Sequence, residues 1–465
     1  MRSPTVPDRW FLLPLLGVAA CAAGVLTARA PAAGLALGEV LLFALLRRTA
    51  EWAVLVVPAA WVLVADSTFL GAAAPSSLAY NALDLWTLLS FASVVPAFIA
   101  GPEARRLRRE PGVMAVALFW SCFAAAALGA GLAPGAEGWV AELRSLAAIG
   151  WLLVAASVAS RGHRRAVHGL CAVVVAGLLL KGLAYWATGR GTMAAGDGSD
   201  FRAFGSEEAT IGLLALAAGA GAFTGGARSR WRLPAVSAGG ALLLLSALRA
   251  YWIAGILVVA GVIAIGLIRA PKTAWRALGA LVVAGVVGGL TLLTVGRPFY
   301  ESTVAGRLPS GSAQNALAND PSLAYRALEW VTVRQAVGSQ VVFGLGLGAE
   351  HRAVYWYNPG DPELWASLAR YAHNNFLWAF LKAGAFGVAA VAALYIGLFA
   401  QCVHAARRSP SDEGRWTASA LAVAVIALAG VGLFNAHISE TRYMMAVGAV
   451  FGALAAGGSR EGEAA

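Results

Sequence analysis

The chain has 465 residues, 59% of them from the apolar set and only 13% charged, against roughly 45–50% and about 25% in a soluble domain. Mean hydropathy is +0.70, and apolar stretches of about 17–25 residues recur, each long enough to cross roughly 30 Å of hydrocarbon as a helix. These figures exclude an ordinary soluble fold. Lipid offers no hydrogen-bond partners, so the stretches must be helices rather than loops or open strands.

In chain order, spans are expected near 10–28, 33–46, 50–66, 81–100, 113–132, 143–160, 165–187, 207–225, 233–248, 251–268, 276–296, 374–400, 416–434 and 441–458. The second span and the 233–268 pair are short. The expectation is an all-α integral membrane protein of about 12–14 transmembrane helices. The first apolar run follows Arg2 and Arg9 as a signal peptide would, but it reads as a retained first helix. The chain divides into a helical bundle over 1–296, a large outer segment over 297–372 and further membrane helices over 373–465.

An even span count puts both termini on one side. Of the 35 lysines and arginines, 21 then fall on that side, in the termini and in short connections, including Arg47, Arg48, Arg105–Arg109, Arg161–Arg165 and Arg407–Arg408. This positive-inside pattern makes that side, with both termini, cytoplasmic. It also accounts for the net charge of +11, so the basic clusters are topology anchors and no nucleic-acid partner is implied. Cys21, Cys122, Cys171 and Cys402 all lie in spans and lack metal-ligand spacing.

The segment 297–372 breaks the alternation of helix and short turn. Structureless loops longer than about 12–15 residues are uncommon, so a folded part is expected. Asp320-Pro321 supplies an N-cap and a first-turn proline. A helix should follow over 321–337, with Tyr325, Leu328, Trp330 and Val333 as its apolar face and Gly344-Leu-Gly346-Leu-Gly348 ending it. Tyr355-Trp356-Tyr357 and Trp365 suit the headgroup level. Upstream, Ser206-Glu207-Glu208 reads as a helix start after the loop 188–206. The 36-residue block 233–268 is too long for one span and fits two, meeting at Arg249. Arg202, Arg249, the segment 297–372 and His373 all fall on the same outer side.

His373 lies in Tyr371-Ala-His373-Asn374-Asn375, at the start of the 374–400 span. It is followed by nine residues and then Gly384-x-x-Gly387. Those glycines read as sites of close helix packing. The pattern resembles the motif that closes the large periplasmic loop in the O-antigen ligase and O-antigen polymerase superfamily. Tyr325-Arg326-x3-Trp330 followed by the glycine run is similar to the loop preceding that motif. Phe201-Arg202-Ala-Phe-Gly205 and Ser246-x-x-Arg249 resemble its two other arginine positions. This chain departs in having Leu248-Arg249-Ala250 and Ser206-Glu207-Glu208 where the family often has Ser-Arg-Gly/Thr and Pro-Asn.

The resemblance implies a GT-C-like, inverting glycosyltransferase in a bacterial inner membrane. Its donor would be an undecaprenyl-diphosphate-linked glycan, used at the periplasmic face. The acceptor would be lipid A-core, for a ligase, or a growing glycan, for a polymerase. The intact histidine motif favours the ligase.

The residues themselves suit such chemistry. Arginine binds diphosphate through a planar, permanently charged fork of donors, which gives Arg202, Arg249 and Arg326 a role with the leaving group. His373 could act as general base, kept neutral by the helix N-terminus and by cationic neighbours. Asn374 and Tyr325 are secondary candidates, and His437, in another outer turn, is the rival base. No metal or cofactor is expected, since Asp197, Asp200, Asp361 and Glu363 look like turn chemistry. A transporter of the same lipid-linked glycan is the rival class. It would need ionisable residues inside spans, for which Glu39, Glu51, Asp84, Lys181 and Lys382 are the candidates.

Overall fold

The structure is a computed structural model, and it describes residues 31–64, 76–99, 104–130, 136–188, 192–193, 201–202, 204–225, 230–279, 321–351 and 370–455. The expected first span, most of the 276–296 span, Cys21, Asp197, Asp200, the 355–365 aromatics, Asp361 and Glu363 lie outside them.

Helices dominate: α1 Pro31–Thr49, α2 Val56–Val64, α3 Ser76–Ile99, α4 Pro111–Ala130, α5 Ala136–Ala148, α6 Trp151–Val158, α7 Arg164–Thr188, α8 Ser206–Thr224, α9 Arg232–Ser246, α10 Arg249–Arg269, α11 Pro321–Val337, α12 Asn375–Arg408, α13 Asp412–Val431 and α14 Thr441–Ala455. One two-residue ladder, Thr192–Met193 against Phe201–Arg202, interrupts them.

Among the described residues, five stretches are long and apolar enough to cross a membrane. One, Glu142–Tyr185, is 44 residues long, about twice a single crossing. Gly162, with φ 93°, breaks it between the two expected spans. The 233–268 block divides as expected. α9 ends at Ala247 in a left-handed conformation (φ 52°) and α10 begins at Arg249. α8 starts at Ser206, where the Glu208 carboxylate returns to the Gly205 N–H. At several seams small residues let backbones meet: a Cβ on Gly452 of α14 would lie 2.3 Å from Leu152 O of α6. Such close approach is how apolar helices associate without a hydrophobic driving force between them.

The expected 374–400 span is corrected by the path of α12. Residues 375 and 395 of a straight helix would be about 30 Å apart. Instead Asn375 Nδ2 donates to Tyr395 Oη at 2.7 Å, and the Phe376 and Tyr395 rings are 6.5 Å apart. The reversal is at Gly384, whose φ of 56° and ψ of −144° belong to a region essentially reserved for glycine. The first limb, 375–383, folds back beside the second, 385–408. The first limb is too short to cross a membrane by itself, whereas the second, with roughly 36 Å of helix, is long enough for one crossing.

The glycine run of the outer segment fills the break. Leu345 N–H and Gly346 N–H donate to Leu381 O (2.9 Å) and Lys382 O (3.0 Å), while Ala385 N–H and Phe386 N–H donate to Val341 O (2.8 Å) and Val342 O (3.4 Å). These bonds satisfy the backbone groups that the reversal exposes, as an apolar setting requires. The two glycine sets face each other, since a Cβ on Gly344 would lie 2.5 Å from Gly384 N. Gly344–Gly348 is thus an inserted wedge rather than a helix stop, Gly384 is the reversal point against which it packs, and Gly387 packs on Ala379 and Ala383 of the first limb.

A buried ion pair locks the wedge. Lys382 Nζ meets Glu142 Oε1 and donates to Ala349 O, and Gly348 N–H donates to Glu142 Oε2 at 2.6 Å. Both side chains are buried. Lys382→Met is expected to lower stability by about 3–5 kcal/mol by orphaning Glu142. Adding Glu142→Gln, which keeps an acceptor for Gly348, should recover much of it. Thermal unfolding in detergent reads both, and an unchanged midpoint for the single variant would mean that the pair does not hold the wedge.

Candidate functional site

The folded-back limb brings His373 alongside the second limb of α12, about 13 Å nearer the Arg408 end than Gly384 is. The turn 432–440 closes against it. Asn375 N–H donates to Gly432 O at 2.7 Å, and Asn374 Nδ2 donates to Leu433 O at 3.0 Å. Asn375 Oδ1 accepts from Ile438 N–H at 3.1 Å, and Tyr371 Oη donates to Asn435 Oδ1. The two histidine turns are therefore one unit.

The N-termini of α8 and α10 join the same end. Ser206 Oγ lies 2.8 Å from both Glu440 oxygens. Arg442 lies between Glu207 and Glu208. Tyr251 Oη is 2.6 Å from Thr210 Oγ1 and 3.2–3.3 Å from the ring nitrogens of His437.

The opposite ends meet elsewhere. Gly112 N–H donates to Gln401 Oε1, and Glu110 pairs with Arg408. A Cβ on Gly225 would touch Trp416, and one on Gly266 would touch Thr224. The starts of α8 and α10, α11 and His373 are thus gathered at one end of the helices.

α11 presents a face that the sequence reading did not choose. Val333 and Val337 are buried, but so is Glu329, at 1% exposure, whereas Leu328 and Trp330 are exposed. The inward stripe is Arg326, Glu329, Val333 and Val337, at helical i, i+3, i+7 and i+11 spacing. Glu329 Oε2 accepts from His373 N–H at 3.0 Å, and Oε1 lies 2.8 Å from His373 Nδ1. The expectation of cationic neighbours for His373 is corrected here, because among the described residues the charged group bonded to its ring is a carboxylate. Tyr371 meets the imidazole edge-on, with centroids 4.9 Å apart. Burial pushes the Tyr371 phenol well above its usual range, so it stays neutral and acts as a hydrogen-bonding wall.

His351, which the sequence reading did not single out, holds the same contact from the other side. It is buried, its Nε2 lies 2.9 Å from Tyr371 O, and its Nδ1 lies 3.2 Å from Thr332 Oγ1 on α11. The signal for Glu329 was present in its spacing from Arg326 and Val333, whereas nothing local marks His351.

The remaining candidates divide by accessibility. The His373 side chain is 30% exposed, whereas His437 is fully buried, with its ring stacked on Tyr443 at 4.9 Å. His437, the rival base, is thus closed off from solvent, with Tyr251 Oη and Glu440 as its polar neighbours. Asn374 is the N-cap of the first limb, with its Oδ1 accepting from Phe376 N–H and Leu377 N–H; its amide is engaged in holding the turn. Arg249 is exposed at the first residue of α10. Arg326 is half-buried, with its guanidinium 5.8 Å from the Phe434 ring centroid. Arg202 pairs through its backbone with Thr192, four residues before Ser206. The side chains of Arg202 and Tyr325 lie outside the described residues. No group of three or more histidine, cysteine or acidic side chains suited to a metal occurs among the described residues.

In comparison with known proteins, no family model matches this chain, and no curated protein matches it. What stands is the class that its helices define, a helical protein of membrane type.

Proposed function

We propose that this protein is a membrane glycosyltransferase of the O-antigen ligase type, GT-C-like, multi-pass in a bacterial inner membrane, with its reacting end toward the periplasm. The observation that carries this reading is an accessible imidazole whose Nδ1 is bonded to a buried carboxylate, at the same end as Arg249 and Arg326. With Nδ1–H donating to Glu329, Nε2 holds the lone pair a general base needs.

The donor is a glycan on undecaprenyl diphosphate. The acceptor hydroxyl attacks the anomeric carbon, its proton passes to His373 Nε2, and the carbon–oxygen bond to the diphosphate breaks with inversion. The diphosphate leaves with the bonding electrons, and arginines answer the developing charge. Arg249 also stands at a helix N-terminus, where the backbone adds a favourable field for an anion. Arg249→Ala is expected to weaken donor binding about 10–100-fold, the loss of one or two charge-assisted hydrogen bonds. Unchanged binding of the lipid-linked donor would reduce Arg249 to an interfacial cation.

The test of function is reconstitution with the lipid-linked glycan and lipid A-core. Transfer to the core supports the ligase, and ladders without core support a polymerase. Neither product supports transport. The ionisable residues that a transporter would use are mostly engaged: Asp84 with Arg144, Glu51 with Arg161, Lys382 with Glu142, and Lys181 with Leu63 O. That favours transfer over transport.

A further inference from the structure

We propose that Glu329 is the positioning residue that selects the reactive tautomer of His373, so that the base is complete only when α11 is docked; this rests on the reading of His373 as base. A carboxylate with 1% exposure must be hydrogen-bonded to be tolerated, and here both of its oxygens are turned to one residue. Oε2 takes the His373 backbone N–H at 3.0 Å. A backbone amide can only donate, which fixes the orientation of the carboxylate. Oε1 then faces Nδ1 at 2.8 Å and, being an ionised acceptor, requires the proton on Nδ1. The neutral ring is thereby held as the Nδ1–H tautomer with its lone pair on Nε2. Tyr371, edge-on at 4.9 Å, limits rotation of the ring.

Among the described residues, the titratable and charged groups around this pair come from three elements. Arg326 lies one turn before Glu329 on α11 and His351 follows that helix, while Tyr371 belongs to the segment of His373 itself. Glu440 and His437 come from the facing turn. Of these, Glu329 is the group bonded to the imidazole. When Nε2 takes the acceptor proton, the Glu329 carboxylate, 2.8 Å from Nδ1, faces the ring that gains the charge.

Glu329 is 44 positions away from His373 in sequence, so the pair exists only through the seating of α11. That seating is made by buried Val333 and Val337 and by the bridge from Thr332 through His351 to Tyr371 O. The outer segment thus supplies part of the catalytic apparatus rather than merely covering it.

Glu329→Gln tests this through the tautomer. Glutamine has one acceptor oxygen and one amide donor. The buried His373 N–H needs the oxygen, which leaves the NH2 facing Nδ1 and moves the ring proton to Nε2. In full-length protein labelled with 15N-histidine, with the His373 signal assigned by its loss in His373→Ala, the wild type should show the Nδ1–H tautomer of the neutral ring. Glu329→Gln should show Nε2–H. In the transfer assay Glu329→Gln should lower kcat by on the order of 10²-fold or more, with KM for the lipid-linked donor unchanged. Glu329→Asp, which keeps two acceptor oxygens, should recover part of the rate.

A wild-type ring already in the Nε2–H form, or the same tautomer in wild type and Glu329→Gln, would overturn the proposal whether or not transfer is observed. Full transfer by His373→Ala would instead overturn the reading of the base, while a Glu329-dependent tautomer would still stand. Loss of transfer in His373→Ala with an unaffected kcat in Glu329→Gln would remove Glu329 alone.

Discussion

Replacing His373 by alanine is expected to cost glycosyl transfer about 10²–10⁴-fold, the usual worth of a general base, while leaving the protein folded and inserted. The side chain is partly exposed and is bonded to Glu329 through Nδ1, so truncation opens little buried volume. Glu329 keeps the backbone N–H of residue 373 as a partner, which limits the penalty of an orphaned carboxylate. The Asn374 cap and the Asn375 bonds to Gly432 O and Tyr395 Oη do not involve the imidazole, so the turn should stay in register. The measurement is product formed per inserted molecule, alongside binding of the lipid-linked donor. Donor binding should persist, because the arginines act on the diphosphate. Wild-type transfer by the alanine variant would remove His373 from the mechanism.

Gly384→Ala should do the reverse and damage the fold first. A residue with a side chain at φ 56°, ψ −144° carries a conformational cost of about 1–3 kcal/mol. The added Cβ would lie 2.5 Å from Val342 C and O and 2.6 Å from Gly344 N. These are backbone atoms of the wedge, which cannot rotate away, and such overpacking costs about another 1–3 kcal/mol. Pushing the wedge out would also strand Leu381 O, Lys382 O and the N–H groups of Ala385 and Phe386. The expected result is a lower thermal midpoint in detergent together with loss of transfer, because the first limb that carries His373 would lose its angle. Gly240→Ala, where a Cβ meets nothing within 4 Å, is the matched control and should leave both unchanged. A Gly384→Ala protein that melts like the wild type would show that the reversal tolerates a side chain.

The glycine motif also illustrates what a linear reading can and cannot extract. Spacing identified Gly384 and Gly387 as special, and close packing is the ordinary meaning of glycine in an apolar helix. For Gly387 that meaning holds, since a Cβ there would meet Ala379 O and Ala383 Cβ, but at Gly384 the reason is long-range: a segment some forty residues earlier in the chain inserts there. No local pattern encodes a backbone hydrogen bond between Leu345 and Leu381. α11 is a parallel case. Its limits, Pro321–Val337, coincide with the expected 321–337, because the preference of proline for a first helical turn acts locally. Its buried face was misjudged because Trp330 and Leu328 look like core, and only docking shows that the inward stripe is charged.

The sequence by itself determined the class of protein, the helix starts at Ser206 and Pro321, the division of 233–268 at Arg249, and the expectation that Arg202, Arg249 and His373 share a side. These follow from hydropathy, cap chemistry and charge bias, which act over a few residues and leave a direct trace in composition. The tertiary structure alone decided that His373 is carried on a limb folded back at Gly384, that His437 is sealed against Tyr443, and that Glu329 stands on Nδ1. Each of these depends on which buried donors and acceptors must find one another once water is excluded. That requirement is met across tens to hundreds of residues, and it has no signature in the order of the chain.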